Sequence, residues 1–489
     1  MTIEHVDVLV VGAGLSGIGA GYHLQADCPQ RSWLILESRD DLGGTWDLFR
    51  YPGVRSDSDM YTLGYSFRPW TDPKAIADGP AILGYLRETA KAFRIDEKIR
   101  FGHRVQRASW CSRTATWTVE AQRGPERTPV SFTCQFLFMC SGYYRYDQGY
   151  TPEFPDRERF GGRIVHPQHW PADLDYAGQQ VVVIGSGATA VTLVPELARQ
   201  AAQVTMLQRS PTYVVSRPSV DRLANRLRRW LPLRLAYGLT RWKNVLLGQY
   251  FFGLCRRKPA LARRGLLRMV RAELGPDYDV ATHFTPRYNP WEQRLCLVPD
   301  GDFFRAIRGG CATVVTDEIE RFTPTGIRLK SGRELPADLI VTATGLSLQL
   351  LAGVAFEVDG RPVDPAASLS YKGMMYSDLP NLASSFGYTN ASWTLKSDLT
   401  ARYVCRLLNH LTRTGARQCT PRLTDPAVTP EKWVDFSSGY FQRSIDAFPR
   451  QGSRRPWKLH QNYALDIVSL KFGALDDGTM AFSGPPPPA

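Results

Sequence analysis

Twice along this chain a run of β-branched and aliphatic residues leads into a glycine turn and then a helical pattern, and few folds accommodate that plan. The first copy is Val6-Asp7-Val8-Leu9-Val10-Val11, then Gly12-Ala13-Gly14-Leu15-Ser16-Gly17, a helix through Leu24, and a second strand Trp33-Leu34-Ile35-Leu36-Glu37. The second is Val181-Val182-Val183-Ile184, then Gly185-Ser186-Gly187-Ala188-Thr189-Ala190, a helix, and Val204-Thr205-Met206-Leu207-Gln208-Arg209. Unbroken apolar strands followed by crossover helices belong to parallel sheets covered on both faces. The expected fold is α/β, with two Rossmann-like dinucleotide-binding domains and a helical insertion. Residues 1–145 would open the first domain, 146–340 form the second with an insertion at about 218–285, and 341–489 return to the first. A length of 489 residues leaves room for that division. The mostly proline tail from Gly484 to Ala489 reads as a frayed end.

Each turn carries chemistry. In the first, Gly12 makes the bend, Gly14 lets a pyrophosphate approach the backbone, and Gly17 lets the helix pack close to the strand. Ser16 lies in the same turn, where free helix N–H groups attract phosphate. Glu37 ends the next strand, placed to accept hydrogen bonds from free ribose hydroxyls, so this turn reads as an FAD site. The second turn ends its strand with Arg209-Ser210, and a guanidinium there suits a 2′-phosphate. Gly185, Ser186, Gly187, Ala188, Thr189, Ala190 and the adjoining Val191 are the expected NADPH contacts. Either turn alone could be a tight bend without a ligand; opposite charges at the two ribose ends argue for two nucleotides.

Hydrophobic content of 43% and charged content of 22% are those of a globular protein. The strand pattern begins at Val6 with no signal peptide before it, and no apolar run is long enough to span a membrane, so a cytoplasmic location is expected. Nine cysteines without a Cys-x-x-Cys pair argue against a disulfide framework, a redox dithiol and a metal site. The formal charge of +13 is concentrated: fourteen basic residues stand between Asp221 and Arg271, against that one aspartate, interleaved with Leu227, Trp230, Leu235, Leu246, Phe251 and Leu266. Such amphipathic helices read first as a solvated insertion packed by its apolar side. The second reading is peripheral contact with the anionic inner face of the cell membrane. No nucleic-acid-binding module accompanies the charge.

Between the turns lies Phe160-Gly161-Gly162-Arg163-Ile164-Val165-His166-Pro167-Gln168-His169-Trp170-Pro171. Phe160, Gly162, His166, Trp170 and Pro171 fit the spacing F-x-G-x-x-x-H-x-x-x-W-P, which resembles the fingerprint of flavin-dependent Baeyer–Villiger monooxygenases. Gly43-Gly44-Thr45-Trp46 and Tyr51 through Asp57 resemble the family's flavin-side loops, and Trp46 through Gly53, Tyr388 through Leu395 and Gln451-Gly452-Ser453 extend the likeness toward a thioamide-oxidising branch of that family.

The resemblance implies a monooxygenase that uses FAD, NADPH and O2, forms a C4a-peroxyflavin, converts ketones to esters and S-oxygenates thioamides or sulfides. It implies that Arg294, in Gln293-Arg294-Leu295-Cys296, is the catalytic cation, and that Asp57 near the flavin can pair with it. Thr45, Trp46, Asp47 and Leu48 carry over as flavin contacts, Val105 as a contact at the adenine end, and Arg55 and Ser56 as NADPH contacts. His166 carries over as a hinge residue, not a base. Many members have Lys where this chain has Gln293, which shifts 2′-phosphate recognition toward Arg209 and Ser210. Tyr61, Tyr388 and Trp393 are candidates for the pocket wall. The rival readings are a flavin oxygenase confined to sulfur or nitrogen, and a non-catalytic flavin redox sensor that would not need Arg294.

Overall fold

In the computed structural model, which describes residues 3–484, the strand Glu4–Val11 lies inside a nine-stranded sheet. Its side chains alternate between two cores. Val8 and Val10 pack under the helices Leu15–Asp27, Gly79–Ala92 and Trp393–Thr414, whereas Leu9 and Val11 face a layer containing Trp110, Trp117 and Phe356. Both faces are covered, which is why the strand is apolar at nearly every position. Trp33–Leu36 and Ile99–Arg100 extend the sheet in parallel on one side. The long strand Thr128–Met139 flanks it on the other and joins the antiparallel pair Thr116–Arg123 and His103–Cys111. The tail 485–489, read above as frayed, lies outside the described residues.

The second sheet has five parallel strands in the order Ala312–Thr316, Gln203–Gln208, Gln180–Ile184, Leu339–Thr342, Arg163–Val165. The chain was expected to rejoin the first sheet near residue 340. Leu339–Thr342 instead sits between two strands of the second sheet, because Leu339, Ile340 and Val341 are fully buried and need cover on both faces. Re-entry comes with Ala355–Val358 beside His103–Cys111, and Leu382–Ser384 beside Thr128–Met139. The two crossings between the sheets pair with each other: Tyr144–Gly149 runs antiparallel to Leu346–Leu348.

The helical insertion starts and ends on a parallel ribbon, Val214–Arg217 against Cys296–Pro299. Its helices are Arg222–Trp230, Leu233–Arg257, Pro259–Leu274 and Val280–Phe284. The insertion does more than hang from the second sheet. Arg241 buries its guanidinium and donates to the carbonyls of Tyr61 and Gly64, each at 2.8 Å, and the Tyr237 hydroxyl donates to the Tyr65 carbonyl. Asn244 Nδ2 donates to Asp59. The first domain therefore grips the insertion through buried hydrogen bonds made to a charge, which are costly to break. Among the described residues no helix is long and apolar enough to cross a membrane.

Candidate active site

A cleft of about 880 Å³ lies between the two sheets, and both glycine turns open into it. That placement follows from topology, since open parallel sheets leave their crevice beyond the carboxyl ends of the strands. The first turn is shaped by the absence of side chains. Gly12 has φ +103°, and a Cβ there would lie 2.6 Å from the Cys140 carbonyl oxygen. A Cβ on Gly17 would lie 1.8 Å from the Gly12 carbonyl oxygen, so the helix could not approach the strand. Gly17 stays beneath the cleft, while Gly12, Gly14 and Ser16 line it. The second turn repeats the pattern: Gly185 has φ +134° and a Cβ would meet the Ala343 carbonyl oxygen at 2.3 Å. Nothing lies within 4 Å of a Cβ placed on Gly187. The backbone is thus open where a pyrophosphate would approach, and both turns fit a dinucleotide.

Glu37 lines the cleft and is buried. Its carboxylate accepts from the N–H groups of Ala13 at 2.7 Å and Arg39 at 2.9 Å, while burial raises its pKa. Thr45, Trp46, Arg55, Ser56, Asp57 and Val105 also line the cleft. Asp47 and Leu48 stand outside it. Asp47 is buried and fixes two arginines, Arg39 Nη2 at 2.6 Å and Arg50 Nη2 at 2.8 Å, so it braces the loop beneath the cleft. On the other wall are Ser186, Ala188, Thr189 and Arg209, whereas Ala190 and Val191 are buried behind them and Ser210 is absent from the lining. Arg55 is held by Asp302, and the Ser56 hydroxyl closes a local turn with Ser58.

Arg294 and Asp57 meet across the cleft, 237 positions apart in the chain, with Nη1 donating to Oδ2 at 3.2 Å. About a third of each side chain is exposed, 33% and 38%, so the pair is worth roughly 0–1 kcal/mol and either member can be drawn away at little cost. Burial would lower the Arg294 pKa, but the phenols of Tyr440, Tyr143 and Tyr144 together with Asp57 more than offset it and hold it well above the ordinary arginine value. The guanidinium is a fixed positive charge. The three tyrosines were not foreseen. Tyr143 and Tyr144 follow the strand end at Met139, a position that sheet topology marks as crevice-lining; Tyr440 gives no local signal. Tyr388 and Trp393 line the cleft, and Trp393 donates Nε1 to Ser16 Oγ at 2.8 Å. Tyr61 is fully buried outside the lining.

None of the five fingerprint residues lines the cleft. His166 accepts from the Gln168 N–H at 3.1 Å, its Nε2 contacts the Gly345 carbonyl at 3.2 Å, and burial lowers its pKa. A Cβ on Gly149 would lie 2.0 Å from the His166 ring, which therefore rests against the crossing ribbon between the sheets. Gln168 donates to the carbonyls of Arg145 and Tyr146 on the same ribbon. Gly162 has no room for a Cβ beside the Asp338 carbonyl, and Phe160 and Trp170 pack into cores of the second domain. All nine cysteines are unpaired, and burial raises the thiol pKa values of Cys134 and Cys140, which removes the thiolate a redox pair needs.

The chain is similar to known proteins in sequence and fold. The family described as flavin-binding monooxygenase-like matches residues 6–224. The FAD-containing monooxygenase EthA of Mycobacterium tuberculosis is 55% identical over 486 residues, covering 99% of each chain. The chain belongs to the flavin-binding monooxygenase family. EthA of Mycolicibacterium smegmatis is 50% identical over 98% of this chain and 97% of its own. The fold of this monooxygenase matches a steroid monooxygenase bound to NADP, with a TM-score of 0.77 at 23% identity over 98% of this chain and 99% of that one. It also matches cyclohexanone monooxygenase from Rhodococcus, with a TM-score of 0.75 at 18% identity over 99% and 100%.

Proposed function

We propose that this monooxygenase holds FAD at the first turn and NADPH at the second and, with O2, converts ketones to esters and S-oxygenates thioamides or sulfides. The reading extends the activities implied by its relatives' names, and the observation that carries it is Arg294: a permanent cation in a sheltered cleft beside a weakly held carboxylate. The chain up to residue 145 and from Ala355 onward would then form the FAD domain, and the stretch from 146 through Thr342 the NADPH domain. FAD supplies the oxygen activation when bound, and NADPH the reducing equivalents. The chain's own residues do the rest. Gly12, Gly14 and Ser16 present backbone to the first pyrophosphate, and Glu37 accepts from ribose hydroxyls. Arg209 pairs with the 2′-phosphate of the second nucleotide. Arg294 turns from Asp57 toward negative charge as it develops on oxygen, at small cost because the pair is weak, while Tyr143, Tyr144 and Tyr440 exclude water around it. His166 couples the second domain to the ribbon on which the domains would move.

The reaction consumes one ketone, O2, NADPH and H⁺ and yields ester, NADP⁺ and water. Turnover of phenylacetone or 2-octanone under labelled dioxygen should give ester carrying one labelled oxygen. Arg294→Ala should lower ester formation about 100- to 1,000-fold, the usual loss for a removed oxyanion donor. Ester without label, or undiminished ester from the variant, would refute the assignment.

The insertion supports a second part of the proposal, peripheral contact with an anionic lipid surface. Its helices expose Trp230 by 81%, Leu246 by 60% and Tyr250 by 72%, with Phe472 of a neighbouring segment at 68%. Exposed aromatic and aliphatic side chains beside basic residues are the composition of an interfacial anchor. Flotation with phosphatidylglycerol vesicles should carry the protein upward at low salt, and Trp230→Ser/Leu246→Ser should stop it. No flotation of the parent protein would end this part.

A further inference from the structure

A second cavity, of about 370 Å³, lies among the carboxyl-terminal segments and shares only Tyr388 with the cleft. Its wall combines an apolar side with an excess of cations. Phe386, Val434, Leu459, Leu465 and Val468 supply the apolar side. Lys372, Lys396, Arg455 and Lys458 face two carboxylates in the lining, Asp466 and Asp477. Lys396 and Asp466 are a buried pair at 2.8 Å, and Lys372 and Asp477 a pair at 3.0 Å, so those four charges are spoken for. Lys458 reaches outward to Glu431 at 2.5 Å, but both side chains are exposed, so that pair is weak and Lys458 can turn to a ligand. Arg455 makes no ion pair among the described residues and is exposed.

Trp433, 3% exposed, adds an aromatic side chain to the wall. Leu465 and Val468 line the cavity and are also exposed, by 43% and 62%, so an apolar chain can enter over an apolar sill.

We infer that this cavity binds an anionic amphiphile, a medium-length acyl chain ending in a carboxylate. The chain lies against Phe386, Val434 and Leu459, and the acid end meets Arg455 and Lys458. The Tyr388 hydroxyl, donating to Asp466 Oδ2 at 2.6 Å, stands between this ligand and the cleft. The inference concerns binding alone and does not depend on which oxygenation the cleft performs.

The probe is 11-(dansylamino)undecanoate, titrated into FAD-loaded protein with saturating NADP⁺ and no lipid, with dansyl emission as readout. Saturable binding, competed by decanoate and not by decanol, is the expected result. Arg455→Ala/Lys458→Ala should weaken it at least tenfold. Leu465→Trp, at the exposed sill, should block entry while leaving the thermal midpoint unchanged. No saturable binding, equal affinity for the methyl ester of the probe, or binding that survives both the double variant and Leu465→Trp would overturn the inference.

Discussion

The most discriminating perturbation is one methyl group at the second turn. Gly187 has φ −78° and ψ −176°, extended backbone open to any residue, and no atom lies within 4 Å of a Cβ placed there. Gly187→Ala should therefore fold as well as the parent. Alanine is a poorer N-cap than glycine by a few tenths of a kcal/mol, while its lower unfolded-state entropy returns about 0.4–1 kcal/mol. Stability should stay within about 0.5 kcal/mol on those terms. The cleft is a different matter. If NADPH lays its pyrophosphate against this turn, the methyl occupies the approach and displaces the phosphates from the helix N–H groups. Losing one charge-assisted hydrogen bond costs about 1.5–3 kcal/mol, or roughly a 10- to 150-fold loss of affinity. Calorimetric titration of NADP⁺ into FAD-loaded protein reads the affinity directly, and differential scanning reads the fold. Unchanged NADP⁺ affinity at unchanged midpoint would refute the placement of the nucleotide on this turn. The neighbouring Gly185→Ala is the contrast: at φ +134° a Cβ would lie 2.3 Å from the Ala343 carbonyl oxygen, so both space and backbone oppose it, and the midpoint itself should fall.

Other perturbations separate the roles of individual residues. Arg209→Gln should lower the NADPH-over-NADH ratio of kcat/KM about 10-fold or more, since Gln293 offers no second cation; an unchanged ratio would move 2′-phosphate recognition elsewhere. Gly17→Ala should yield little folded protein, because the methyl would overlap the Gly12 carbonyl at 1.8 Å; a normal melting curve would contradict the packing. His23 is held between Asp27 and Asp398; burial pulls its pKa down, but hydrogen bonds and charge from both aspartates raise it above 6.5. Its contribution to stability is therefore complete below the unfolded value near 6.5 and is lost as pH rises through the higher folded value. Urea midpoints across that window should fall with rising pH in the parent and fall less in His23→Gln; parallel profiles would refute the linkage.

Local motifs exposed much of the site to reading in one dimension. Gly12, Gly14, Gly17 and Gly185, Gly187 are legible because such a turn spans six residues: Gly12, Gly17 and Gly185 have no room for a Cβ, and Gly187 keeps the approach to the backbone open. Glu37 and Arg209 are legible because a strand of known length carries each to its ribose end. The pairing of Asp47 with Arg39 and Arg50 was not legible, since a polar residue beside the cleft has the same sequence signature whether it faces a ligand or braces two arginines.

The sequence by itself determined the two βαβ openings, the opposite charges at the ends of their second strands and the spacing of the fingerprint, all of them set by neighbours along the chain. Only the tertiary structure decided that Leu339–Thr342 completes the second sheet, that Arg241 ties the insertion to the first domain, and that Tyr143, Tyr144 and Tyr440 gather around the Arg294–Asp57 pair. The second cavity around Trp433 belongs to the same class. Each of these joins segments tens to hundreds of residues apart, and such contacts depend on how two sheets dock, a property that no local period or spacing encodes.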